Sequence, residues 1–275
     1  MTTQLPLREQ YECCPLCGEH NPSLLGSVNC TNHGLWHEPL PGTLEWMQCK
    51  SCSHVYTGYY WTPDGLAELL KNSNAHQIAG ETGSFDAKRQ IWSPVVEKAL
   101  SLLGGYRGLI RDPSPLWVDV GCGDGALVMT ANDYGFRSLG LDARSCTVDR
   151  LQSLGFNAVQ GDFMSLDFKI SIDILSMMDV LEHMPFPLGA IRKASTLLRA
   201  GGMFVISLPE LGCSSWRALD AANANPYWGE IEHHHNFSRQ RLTRLLLENG
   251  FEVVDYAIPF RYKASMEIYA IRIEP

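Results

Sequence analysis

The stretch VDVGCGDGALV, residues 118 to 128, constrains the fold more than any other part of the chain. Three glycines punctuate a turn between an apolar run and a helix-like segment. Glycine takes up left-handed backbone freely and lets a ligand approach the main chain closely. Gly121, Cys122, Gly123, Asp124, Gly125 and Ala126 satisfy G-x-G-x-x-A, the pattern of a strand–turn–helix that holds a nucleotide-derived cofactor. The loop lacks the G-K-[S/T] ending of a P-loop.

From about residue 86 the flanking sequence supplies the sheet this loop needs. LWVDVG, SLGLDA, NAVQGD, SIDILSMM, MFVISLPE, FEVVDYAI and SMEIYAIRI read as strands. Between them lie helical patterns: ALVMTANDYG, SCTVDRLQSLG, PLGAIRKASTLLRAGG closed by its glycines, and SRQRLTRLLLENG with Ser238 as N-cap and Gly250 as stop. IWSPVVEKALSLL has helical spacing too, with Pro94 expected only near a first turn. Strands alternating with helices imply an α/β fold, an open and mainly parallel sheet covered on both faces. Ligands of such sheets sit at the carboxyl ends of the strands.

Charge separates the cofactors that such a turn accepts. A dinucleotide would place its pyrophosphate at the helix N-terminus. Here Asp119 and Asp124 flank that place, and the loop has no Lys or Arg. A cofactor carrying a sulfonium and an amino group, without phosphate, suits an acidic loop better. Asp142, ending the second strand, can accept from both hydroxyls of a ribose. Asp162, in QGDF, can accept from an adenine amino group while Phe163 packs on the ring. Each acid alone reads equally well as a strand-end cap. The formal charge of −8 disfavours nucleic acid as the main partner.

Ahead of this region stand CCPLC at 13–17 and CKSC at 49–52. Two C-x-x-C knuckles can close a tetrahedral cage around one Zn²⁺, so Cys14, Cys17, Cys49 and Cys52 are the expected ligands of a structural zinc. The interval between the knuckles exceeds the roughly 15–20 residues usual in such modules. It contains Cys30, His33 and His37, which together with Cys13 are candidate replacements. The division expected is a zinc-ribbon-like module over 1–60, an aromatic lid or linker over 61–85, and the large domain over 86–275. Tyr56, Tyr59, Tyr60 and Trp61 serve either as packing between units or as a lid, and NSNAHQIAGETGS reads as a flexible connection. The start MTTQLPLREQ carries no secretory pattern, and no apolar run approaches the ~18 residues of a membrane span. Nine cysteines then suit a reducing, cytoplasmic setting.

Together, VDVGCGDG, LGLDA and QGDF resemble the first three motifs of the class I S-adenosylmethionine-dependent methyltransferases. DVLEHMPFP is similar to the small-molecule branch that includes the ubiquinone-biosynthesis enzymes. The resemblance implies a Rossmann-like sheet of seven strands in the order 3-2-1-4-5-7-6, with strand 7 antiparallel. It implies cofactor contacts from Asp119, Gly121, Cys122, Gly123, Asp142, Ala143, Asp162, Phe163 and the backbone near Met178. A cysteine module ahead of this fold also resembles methyltransferases of nucleotide-linked deoxysugars, and a zinc-ribbon family acting on ribosomal RNA. The favoured expectation is O- or C-methylation of a small molecule, a sugar or a cell-envelope or secondary-metabolite precursor. An RNA methyltransferase and a non-catalytic zinc-dependent docking protein are the alternatives. Acceptor identity and oligomeric state stay open.

The acceptor end is carried by two segments. DVLEHMP contains Glu182 and His183, which either cap the following helix or act at the site. The insertion after the fifth strand ends in IEHHHNFS, residues 231 to 238. It resembles an E-H-x-x-x-F-S pattern formed by Glu232, His233, Phe237 and Ser238. That match makes His233 a base or an acceptor-orienting group, and His234 incidental. If the segment is extended, His233 and His235 share a face opposite His234. No spaced carboxylate–histidine framework is evident, which disfavours a metal reading of the three histidines.

Overall fold

The computed structural model describes residues 6–71, 85–167 and 171–273. The chain begins with short strands β1 (Arg8–Gln10), β2 (Ser23–Asn29), β3 (Thr43–Gln48), β4 (Val55–Thr57) and β5 (Tyr59–Trp61), then helix α1 (Pro63–Leu70). Strands β2, β3 and β4 form an antiparallel meander, and β1 pairs with β5. Thr62 caps α1 by accepting the Gly65 N–H, and Trp61 is buried. Residue 60 thus falls inside β5, and the ordered N-terminal region continues through α1. The expected connection NSNAHQIAGETGS lies outside the described residues.

Helix α2 (Phe85–Leu102) leads into the large sheet. There follow β6 (Leu116–Val120), α3 (Ala126–Asp133), β7 (Arg137–Asp142), α4 (Ser145–Ser153), β8 (Ala158–Gln160) and β9 (Ile172–Met178). Then come α5 (Pro187–Leu197), β10 (Leu198–Pro209), α6 (Ser214–Ala221), β11 (His235–Asn236), α7 (Arg239–Glu248), β12 (Phe251–Ala257) and β13 (Ser265–Arg272). Among the described residues the sheet order is β12-β13-β10-β9-β6-β7-β8. Read from the β8 edge this is 3-2-1-4-5-7-6, as expected. β6 is parallel to β7 and β9, and β13 is antiparallel to both β10 and β12.

All of β6 is buried, and its side chains alternate between the two faces of the sheet. Leu116, Val118 and Val120 join the principal core with residues of α5 and α7, whereas Trp117 joins the cluster beneath α2 and α3. The principal core also includes Tyr11, Cys14, Leu16, Cys49 and Tyr56 from the N-terminal region. The two parts therefore share one apolar interior.

Two local expectations are corrected. Pro94 lies inside α2, not in its first turn. The proline removes one helical N–H and costs about 3 kcal/mol. Val95, Val96, Ala99 and Leu100, all buried, supply the packing that offsets it. The helix at 187 ends at Leu197 instead of running to the glycines. Leu198 already pairs with Ile172 of β9, and Arg199 reaches Asp173 at 2.6 Å, so tertiary contacts draw LRAGG into the strand.

Candidate active site

The glycine loop lies at the carboxyl end of β6. Gly121, Gly123 and Gly125 have φ of 67°, 54° and 78°. A Cβ on Gly121 would stand 2.6 Å from Val180, and one on Gly125 would stand 2.1 Å from Leu151. The first contact matters beyond the loop, because Val180 begins the segment that carries Glu182 and His183. The loop is fastened to β7 by the Gly121 and Cys122 N–H groups, which donate to Leu141 O. The Gly123 N–H donates to Asp142 Oδ2 at 3.1 Å.

The acids around this loop differ in their surroundings. Asp119 is buried and accepts from Ser176 Oγ at 2.6 Å, and Ser176 in turn accepts from the Trp117 indole N–H. Burial pushes the Asp119 carboxyl up to about 7, against the opposing hydrogen bond from Ser176. Asp124 meets Lys88 of α2 at 2.6 Å. Asp142 meets Arg144, with Nε 2.9 Å from Oδ1 and a terminal nitrogen 3.0 Å from Oδ2. Asp162 is exposed and accepts the Ser165 N–H, so it caps the turn after β8. Phe163 is buried in the principal core, with Lys193 5.4 Å from its ring centre. Ala143 accepts from Gln160 through its carbonyl, and Met178 is buried at the end of β9.

Residues that sequence reasoning missed also converge here. Asp179 follows β9 with φ of 57°, left-handed backbone that an aspartate adopts at a cost. Its N–H donates to Ser207 O, and its carboxylate meets Arg261 at 2.8 Å. The acidic loop is thus answered by Lys88, Arg144 and Arg261. Arg144 stands two residues from Asp142 and was legible in LDAR. Lys88 and Arg261 arrive from distant elements, and nothing local announces them.

The residues expected at the acceptor end are assembled across the chain. Glu182, His183 and His233 bring one ligand atom each to within 4.8 Å of one another. The rings of His183 and His233 stand edge to face at 4.6 Å. The Glu232 carbonyl accepts from or faces His183 Nδ1 at 3.2 Å, and its carboxylate lies 4.0 Å from the same nitrogen. Burial raises the Glu182 carboxyl well above its ordinary range, with Asp179 adding to the effect. Burial also holds the His233 imidazole well below its usual proton affinity, and His183 lowers it further. The carboxylate–histidine grouping not evident in the sequence thus arises in the fold, where Glu182 and His183 of DVLEHMP meet His233.

All three histidines are buried, but they do different things. His234 bonds through its backbone, donating to Glu182 O and accepting from Thr57. His235 begins β11, which pairs with β4 of the N-terminal sheet. Its ring meets His54 at 3.1 Å and Met184 O at 2.9 Å. Only residues 235 and 236 are strand, so the expected alternation does not extend to His233. The N-terminal region also grips this insertion through Trp46 Nε1 to Trp228 O, Trp61 Nε1 to Ile231 O, and His33 to Glu230. The buried aromatics Tyr56 and Trp61 are therefore packing.

The two cysteine knuckles are built alike. The residue after each second cysteine has positive φ, Gly18 at 75° and Ser53 at 59°. Its N–H donates to the carbonyl of the first cysteine, Cys14 or Cys49, at 2.9 Å. Cys14 and Cys52 sulfurs stand 3.7 Å apart, and those of Cys17 and Cys49 stand 3.5 Å apart. A tetrahedron with metal–sulfur bonds of about 2.3 Å has edges of about 3.8 Å, so the four residues fit zinc. The replacement candidates stand elsewhere. Cys30 faces Pro41 O, and His33 and His37 pair with Glu230 and Glu68. Cys13 is outside the four-sulfur group.

Comparison with known proteins decides the family. The methyltransferase-domain profile matches residues 89–256. The chain belongs to that family. A ubiquinone biosynthesis O-methyltransferase of Xanthomonas campestris pv. campestris (strain B100) is 33% identical over 152 residues, 50% of this chain and 62% of its own length. The corresponding protein of Colwellia psychrerythraea is 28% identical over 98 residues, 33% of this chain and 40% of its own length. The chain thus spans roughly two-fifths to three-fifths of those relatives. Magnesium protoporphyrin IX methyltransferase of Synechocystis PCC 6803, solved with bound SAH, superposes with a TM-score of 0.58 at 16% identity. The match covers 77% of this chain and all of that one. The fold is that of a class I S-adenosylmethionine-dependent methyltransferase. No helix among the described residues is long and apolar enough to cross a membrane.

Proposed function

We propose that the protein transfers the methyl group of S-adenosylmethionine to a hydroxyl of a small molecule, a sugar-like or cell-envelope precursor. The observation that carries this reading is the close approach of the Val180 side chain to Gly121, since Val180 leads within two residues to Glu182 of the Glu182–His183–His233 cluster. Asp119, Gly121, Cys122, Gly123, Asp142, Ala143, Asp162, Phe163 and Met178 are the residues proposed around the cofactor. Asp142 is assigned to the ribose, which exchanges the Arg144 N–H groups for sugar hydroxyls. The cofactor supplies the sulfonium methyl and the leaving group. The chain's own task is to hold the acceptor oxygen in line, which accounts for much of the rate in such displacements.

Glu232, His183 and His233 are assigned to the acceptor. A buried imidazole with lowered proton affinity is a weak base, so His233 is assigned to orient the acceptor, not to remove its proton. Cys14, Cys17, Cys49 and Cys52 are assigned to a structural Zn²⁺, whose four thiolates leave no open position. The zinc fixes the module that holds the insertion. The relatives named for O-methylation support oxygen as the nucleophile. The test is transfer from methyl-labelled cofactor into a small-molecule extract and, separately, into RNA. Label on oxygen of a small metabolite is expected. Label on carbon would reassign the nucleophile, and label in RNA alone would overturn the reading.

A further inference from the structure

Acids outnumber Lys and Arg in this chain, 30 to 22. Around the glycine loop Lys88, Arg144 and Arg261 are each answered by an acid, Asp124, Asp142 and Asp179. A cavity of about 270 Å³, where β10 and β12 end and β13 begins, breaks that pattern. Arg217, Arg239 and Lys263 line it, against the acid Glu210. Glu210 meets Arg239 at 3.6 Å and accepts from the Tyr256 hydroxyl at 2.8 Å. Arg217 and Lys263 form no ion pair among the described residues: Arg217 donates to Gly212 O and Ser214 Oγ, and Lys263 to Pro259 O. Ser265, 2% exposed, also lines the cavity, and its hydroxyl has no hydrogen-bond partner among the described residues. We propose that this cavity binds a phosphate ester group of the methyl acceptor.

The three cations come from three elements: Arg217 from α6, Arg239 from α7, and Lys263 from the connection between β12 and β13. A carboxylate brings one charge and two oxygens. A phosphate ester brings nearly two charges and three strong acceptor oxygens, which suits three cations and an unpartnered hydroxyl. The first turn of α6 lines the cavity as well, and the N-terminus of a helix adds to the preference for an anion.

A second cavity, of about 610 Å³, shares Ser215 and Lys263 with the first. Tyr227, Tyr262 and Arg261 line it. Arg261 reaches Asp179 at 2.8 Å, just past β9 and three residues before Glu182. The adjoining cavities thus lead from the three cations toward the residues assigned to the acceptor. A phosphate in the smaller one leaves the body of the acceptor in the larger one, against the two tyrosines. This inference rests on the methyl-transfer reading and names the class of its acceptor.

The experiment is calorimetric titration of the full, zinc-loaded chain with glucose 1-phosphate, with glucose and glucuronate as the neutral and carboxylate matches. The phosphate ester should bind at least about tenfold more tightly than glucuronate. Arg217→Gln and Lys263→Gln, both at exposed positions, should each weaken that binding about tenfold. Arg244→Gln removes the same charge from a residue paired with Glu248 outside the cavity, and should bind as wild type does. No binding of glucose 1-phosphate, equal binding of glucuronate, or unchanged binding in both cavity variants overturns the proposal. S-adenosylhomocysteine affinity on the same samples should be the same in all these chains. Its absence in the wild-type chain would sink the methyltransferase reading, whereas the phosphate titration decides the cavity by itself.

Discussion

The proposed cofactor end and the proposed acceptor end of this site are built in opposite ways. The cofactor end is local: residues 121 to 125 form one turn at the end of β6, fastened to the next strand by three backbone N–H groups. The acceptor end is collected from the chain: Glu182 and His183 from one loop, Glu232 and His233 from an insertion held by the N-terminal region. A turn written into consecutive residues depends little on distant packing. A cluster gathered over some fifty residues depends on whatever fixes each contributor. Damage to the N-terminal region should therefore fall on acceptor handling and spare the cofactor.

The largest effect should come from the cysteines. In Cys49→Ser the chain should lose zinc, and its melting temperature should fall by about 10 °C or more. Methyl transfer should drop roughly 100-fold through misplacement of the insertion, while cofactor affinity changes about threefold or less. Equal loss of cofactor binding, seen by calorimetry, would break the contrast. Next stands Asp142→Ala. Losing charge-assisted bonds to the ribose should weaken cofactor binding about 10- to 100-fold and leave zinc content unchanged. Gly125→Ala combines positive φ with a close approach to Leu151, and should cost about 2–3 kcal/mol in denaturant unfolding. The smallest effect belongs to Trp61→Phe, which removes the bond to Ile231 O. It should cost about 1 kcal/mol and raise acceptor KM without altering cofactor affinity.

The contrast also has a pH signature. Asp119 is raised to about 7 in the folded chain, against about 3.9 when unfolded. The native state then binds more protons than the unfolded state in this window, so stability declines with rising pH. The contribution is full below about pH 4 and is lost as pH climbs through about 7. Asp119→Asn should flatten that part of the melting-temperature profile, and an unchanged slope would assign it to other groups.

What was legible in the sequence follows the same division. The seven strands and the glycine turn rest on periodicity and contiguous motifs, both properties of neighbouring residues, whereas the strand order is what the resemblance carried by those motifs implies. The knuckles were legible because C-x-x-C is itself a local geometry, as the matching turns at Gly18 and Ser53 show. Lys88, Arg261 and the His54–His235 contact were not, because each depends on where a distant element packs. The three histidines show both cases. Their string drew attention to the site, but only the fold assigns His233 to a cluster, His234 to backbone bonding and His235 to the N-terminal sheet.

The most direct test compares Asp142→Ala with His233→Ala, measuring S-adenosylhomocysteine affinity and single-turnover methyl transfer in each. The expected result is a crossed pattern. Asp142→Ala should lose affinity, whereas His233→Ala should keep affinity within about twofold and lose transfer roughly 100-fold. Full transfer by His233→Ala, or equal loss of affinity in both variants, would contradict a site with separate cofactor and acceptor ends.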